Sequence, residues 1–98
     1  MRFELSRLAR RQVDRIHGWW TDNRPSARSM FLADLARAQQ LLCEAPELGI
    51  VFATHKTGVV RRLLLSNTDY HLYYQYRRDR NEIFVLRVHG ATRGHQPR

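Results

Sequence analysis

The chain has 98 residues, 43% of them hydrophobic and 27% charged, which suits one globular domain and excludes a disordered chain. Seventeen lysines and arginines against nine acids give a net charge of +8, so a polyanion or an acidic protein is the expected partner. No run of about 18 apolar residues exists to form a membrane-spanning helix, and no apolar leader follows Met1-Arg2-Phe3-Glu4, so no secretory signal is expected.

Arg2–Leu5 is short and half apolar and reads as an edge strand. Ser6 is placed to cap a helix. Ala9, Val13, Ile16 and Trp20 recur at spacings of three and four, which predicts an amphipathic helix over Ser6–Asp22. Arg7, Arg11 and Asp14 fall on its opposite face, and Arg10 stands four residues from Asp14, close enough to pair. Pro25 suits the first turn of a second helix, predicted over Pro25–Ala45. Its stripe is Ala27, Phe31, Leu35, Ala38 and Leu42, and it stops before Pro46. So short a linker predicts an antiparallel hairpin. Cys43, the one cysteine, lies in the apolar run Leu41-Leu42-Cys43 and reads as a buried, inert thiol.

After Gly49 the period becomes two. Strands are predicted over Ile50–Thr54, Val59–Leu65, Tyr70–Arg77 and Glu82–His89, joined by short polar turns that imply antiparallel neighbours. The expected fold is α+β: an N-terminal antiparallel two-helix hairpin packed on a small twisted antiparallel β-sheet. Residues 1–90 form the single domain, and residues 91–98, with Gly94 and Pro97, read as a polar C-terminal tail.

Alternation sorts each strand into two faces. Leu63, Leu65, Leu72, Tyr74, Tyr76, Phe84, Leu86 and Val88 make the expected core face, under the helices. The other face carries Arg62, Leu64, His71, Tyr73, Gln75, Val85, Arg87 and His89. A core has no need of that mixture. A wet sheet face is the bland reading. Basic groups interleaved with aromatics also make a contact surface for phosphates and bases. Trp19 and Trp20 are adjacent and cannot share one helix face; Trp20 continues the core stripe, which leaves Trp19 at the helix tip as a contact or a cap.

These features together resemble the RelE/ParE superfamily of toxins from bacterial type II toxin–antitoxin systems. The resemblance runs through Trp19-Trp20 and Asn23-Arg24-Pro25, the Ala45-Pro46-Glu47-Leu48-Gly49 junction, Val60-Arg61-Arg62-Leu63, Tyr70-His71-Leu72-Tyr73-Tyr74 and Ile83–Gly90. It implies a cytoplasmic toxin neutralised by a cognate antitoxin that offers an acidic, apolar segment, with no cofactor or metal. Two activities are implied. ParE-like members bind and stall DNA gyrase without known catalytic residues of their own. RelE-like members cut messenger RNA in the ribosome. For the second, the residues matching the family's pattern are Arg62, His71 and, more loosely, Arg93, while Arg87 shares their predicted face. Leu64 stands where many family nucleases carry a further cation, and the C-terminal tyrosine common among them is missing. The ParE-like reading is therefore preferred. A plain basic nucleic-acid-binding module is a third class, although no helix-turn-helix, zinc-finger or RNP motif supports it.

Overall fold

In the computed structural model, which describes residues 1–91, the first helix forms as its sequence dictates. Ser6 caps α1 (Arg7–Asn23): its side chain accepts from the Ala9 amide at 3.0 Å and donates to the Leu86 carbonyl at 2.7 Å. Ala9, Val13, Ile16 and Trp20 are buried. The Arg24 amide closes the helix on the Trp20 carbonyl at 2.8 Å.

The second helix begins later than Pro25. Residues Pro25–Ala27 form a 3₁₀ turn, closed by the Ala27 amide on the Arg24 carbonyl, and α2 spans Met30–Glu44. Proline fixes its own φ and no more, so the chain completes a tight turn before the true helix starts. Phe31, Ala38 and Leu42 of its stripe are buried, while Leu35 is half-buried against the core. Cys43 is also half-buried rather than buried.

Five strands follow the expected segments: β1 (Arg2–Leu5), β2 (Ile50–His55), β3 (Gly58–Leu65), β4 (Tyr70–Arg77) and β5 (Glu82–Gly90). The sheet order is β1-β5-β4-β3-β2. Strands β2 to β5 pair antiparallel, as their short turns require. The sheet is nevertheless mixed, because β1 pairs parallel to β5, with Arg2 opposite Glu82 and Leu5 opposite Val85. Both helices and three strands lie between them in sequence, which provides the long crossover that parallel pairing demands. The wholly antiparallel sheet expected from the sequence is corrected to this extent.

The core face also differs from strict alternation. Opposite Tyr73 stands Arg87, but opposite Tyr74 stands Val85, so Leu86 is an extra residue in a β-bulge. The bulge reverses parity for the first half of β5. Ile83 and Val85 turn into the core, fully buried, and Phe84 faces the other way with the Arg77 guanidinium 4.0 Å from its ring centre. The assignments of Phe84 and Leu86 to the core and of Val85 to the open face are therefore reversed.

Tyr70, Leu72 and Tyr74 of β4 form the floor on which Phe31, Ile16 and Trp20 pack. Trp20 Nε1 donates to the Tyr70 hydroxyl at 3.1 Å. The Tyr74 hydroxyl donates to the Pro46 carbonyl at 2.8 Å and accepts from the Gly49 amide at 2.9 Å, fixing the α2–β2 junction. Gly49 is required there, since a Cβ would stand 2.8 Å from the tyrosine ring. Asp34 of α2, 4% exposed, accepts from the Thr68 amide at 2.9 Å, the Thr68 hydroxyl at 2.7 Å and Asn67 at 3.0 Å, which ties α2 to the β3–β4 turn.

Candidate functional site

The face of the sheet away from the helices gathers its side chains around Tyr73. Register does this directly: Arg62 of β3 and Arg87 of β5 both stand opposite Tyr73 of β4. The Arg87 guanidinium lies 4.7 Å from the Tyr73 ring centre, within the range of a cation–π contact. Phe52 of β2 meets the same ring edge-on at 4.9 Å, and Arg62 stands 5.6 Å from the Phe52 ring. His89 lies 5.3 Å from Tyr73 on its other side, and His71 lies 6.1 Å away. Two guanidiniums thus bracket a Phe–Tyr–His row that crosses four strands.

Burial, the Arg62 guanidinium and His89 all push the His71 imidazole below the ordinary histidine value, with Asp69 opposing them. The permanent positive charge of this face comes from Arg62 and Arg87. A cleft of about 290 Å³ opens beside the row, lined by Leu8, Phe52, His55, Val60, Tyr73, Leu86 and Arg87.

The structure thus brings together Arg62, His71, Tyr73, Arg87 and His89. Leu64 stands opposite His71 at the rim, 49% exposed. Among the expected contact residues Val85, Gln75 and, at 8% exposure, Tyr73 are buried, and Trp19 is half-buried. Val85 is in the core because of the bulge. Gln75 is only 4% exposed, and its amide donates to the Thr57 hydroxyl at 3.3 Å. Trp19 packs against the core with its ring edge-on to Trp20 at 5.6 Å and keeps part of its surface exposed. Arg93 lies outside the described residues. Among the described residues no three side chains gather to ligate a metal ion.

Phe52 joins this face without being expected there. A bulge between Val51 and Ala53 throws it out of the β2 alternation and onto Tyr73. The available signal is an aromatic in an otherwise aliphatic edge strand, Ile50-Val51-Phe52-Ala53.

Chemically, two guanidiniums beside aromatic rings can hold an anionic or aromatic group. The apolar margin continues along β2, whose outer edge is unpaired among the described residues, with Ile50, Val51 and Phe52 exposed. No helix among the described residues is long and apolar enough to cross a membrane.

No curated protein matches the chain. Among solved structures, one chain titled "Chromosomal ParDE TA system from P. aeruginosa" superposes with a TM-score of 0.72 over 94% of this chain and 97% of that one. At 19% identity that likeness shows a shared fold. The family model of the ParE toxin of the type II toxin–antitoxin system parDE matches residues 3–93, nearly the whole sequence. The chain therefore belongs to the ParE toxin family of type II toxin–antitoxin systems.

Proposed function

We propose that this ParE-type toxin inhibits DNA gyrase, and hence acts in the cytoplasm, and that its antitoxin neutralises it by covering the Tyr73 face. The observation that carries this reading is the match of the ParE toxin family over residues 3–93, and the chemistry of the Tyr73 face agrees with it. An RNA-cleaving site needs a proton donor for the leaving oxygen. Burial and Arg62 push the His71 imidazole down, which disfavours its proton-donating form, and arginine does not give up its proton; His89 is the second imidazole on this face. The two guanidiniums suit anion binding rather than proton transfer. The same reading takes α1 and α2 as an antiparallel hairpin, supported by the short connection 24–29.

The antitoxin segment that fits is acidic and apolar. Carboxylates meet Arg62 and Arg87, and apolar side chains cover Phe52 and Leu64. An extended segment can also pair with the open β2 edge. Ribosome-dependent cleavage of messenger RNA is the competing reading, favoured by Arg62, His71 and Arg87 sharing one face.

Two assays separate them. Purified toxin should block supercoiling of relaxed plasmid by gyrase and leave messenger RNA on programmed ribosomes intact. Cleavage inside codons, abolished in His71→Ala, with gyrase unaffected, would establish the nuclease instead. For the antitoxin, Arg62→Glu with Arg87→Glu should weaken binding at low salt by tenfold or more, and unchanged affinity would remove this face from the interface.

A further inference from the structure

The outer face of α1 carries a second concentration of charge that the Tyr73 face does not use. Arg7, Arg10 and Arg11 are exposed, and among the described residues none of them is in an ion pair. The Arg10–Asp14 pairing allowed by their spacing does not form among the described residues. Arg15 extends the row four residues beyond Arg11.

This placement works against the helix itself. The N-terminal end of a helix dipole is positive and favours acids, while the C-terminal end favours cations. In α1 the first turn holds Arg7 and no acid, Arg10 follows at once, and the last turn holds Asp22 and no base. Local stability would select the reverse. A stripe kept at a cost to its own helix indicates a role in binding.

We propose that this stripe is a contact surface for the phosphate backbone of duplex DNA. Arg7, Arg11 and Arg15 are spaced by four residues, about 6 Å of helix each, so the row extends over about 12 Å. That length faces about three to four phosphates of one strand, at roughly 3.4 Å of duplex axis per phosphate. Guanidinium groups match phosphate oxygens in bidentate fashion. Asp14 stands among the arginines and Leu8, 44% exposed, flanks them toward the Tyr73 cleft, so the stripe itself is charged, whereas the core of a protein–protein interface is depleted in charge and enriched in apolar anchors. The regular spacing and high charge of the array therefore favour nucleic acid over an acidic protein. The inference concerns direct binding to DNA, in the absence of gyrase, and so stands apart from the proposed target.

The test measures binding of the purified chain to a 20-base-pair duplex of arbitrary sequence by fluorescence anisotropy, across a salt series. The triple variant Arg7→Gln/Arg10→Gln/Arg11→Gln should bind at least tenfold more weakly at low salt. The slope of log affinity against log salt should fall by about 0.9 for each phosphate that is no longer neutralised. A control triple variant, Arg24→Gln/Arg28→Gln/Arg80→Gln, removes the same charge elsewhere and should keep most of the slope. Thermal melts of the α1 variant should be no lower than those of the parent, since the dipole conflict is relieved; weaker binding then reflects the missing guanidiniums, not unfolding. Equal weakening in the two variants would mean general charge attraction and would overturn the proposal. So would tighter binding to polyglutamate than to DNA that depends on the same three arginines, which would make the stripe a site for an acidic protein.

Discussion

Replacing Asp34 by alanine should destabilise the fold by about 2–5 kcal/mol, because buried hydrogen-bond donors left without a partner cost about 1–3 kcal/mol each. The carboxylate is 4% exposed and holds four donors: the Thr68 amide, the Thr68 hydroxyl, Asn67 and Arg37. Thr68 is 2% exposed, so neither of its donors reaches water when the carboxylate is gone. Asn67 is exposed and the Arg37 side chain is 53% exposed, so these two bonds are readily exchanged for water and add little. Asp34→Asn retains one oxygen for Thr68 and should lose about half as much. Urea denaturation is the assay: the midpoint should fall with the slope unchanged. In thermal melts each kcal/mol corresponds to about 4–8 °C for a domain of this size. A loss below about 1 kcal/mol for Asp34→Ala would refute the reasoning, since it would mean that the α2 to β3–β4 tie carries no weight.

Tyr74→Phe should cost about 1–3 kcal/mol, because it strands the Pro46 carbonyl and the Gly49 amide; denaturant melts test it. Gly49→Ala should lower the melting temperature too, as the new Cβ meets the Tyr74 ring at 2.8 Å and the Arg62 carbonyl at 2.9 Å. Val85→Thr should cost about 1–3 kcal/mol by putting a hydroxyl in an apolar core, and a neutral result would mean that Val85 faces solvent. His71 should make stability pH-dependent. Its folded value lies below the ordinary 6.5, so the unfolded chain takes up a proton first as pH falls. Stability should therefore be full above pH 6.5 and decline below it, and His71→Gln should flatten that decline.

The parts of the fold visible in sequence are those governed by local period. Ser6 and the Ala9–Val13–Ile16–Trp20 stripe specify α1 because cap and spacing are contiguous in the chain. Strands β3 and β4 are legible for the same reason, and with them Arg62, His71 and Tyr73 on one face. The rest depends on events outside any short window. One extra residue at Leu86 inverts Ile83–Val85, and one at Phe52 brings that ring into the site. Neither bulge has a local sequence mark, since each is set by pairing with another strand. Asp34 and Thr68 are 34 positions apart, so in sequence the buried carboxylate looks like one more polar residue on a helix. The parallel pairing of β1 is longer in range still.

That parallel pairing governs when the molecule can exist during synthesis. Arg2 and its partner Glu82 are 80 positions apart, and β1 has a place in the sheet only beside β5. Helix α1 leaves the ribosome early, yet its Gln12 accepts from the Val88 amide, and its Trp20 rests on Tyr70. Until those residues are made, its apolar stripe is bare. Contacts of such long range are slow to form, and their absence leaves a chain that chaperones and proteases recognise. Arg87, half of the guanidinium bracket, arrives with the same last strand. A nascent chain halted before residue 82 accordingly has neither a closed core nor a complete binding face, so abortive translation yields a target for degradation and no active toxin.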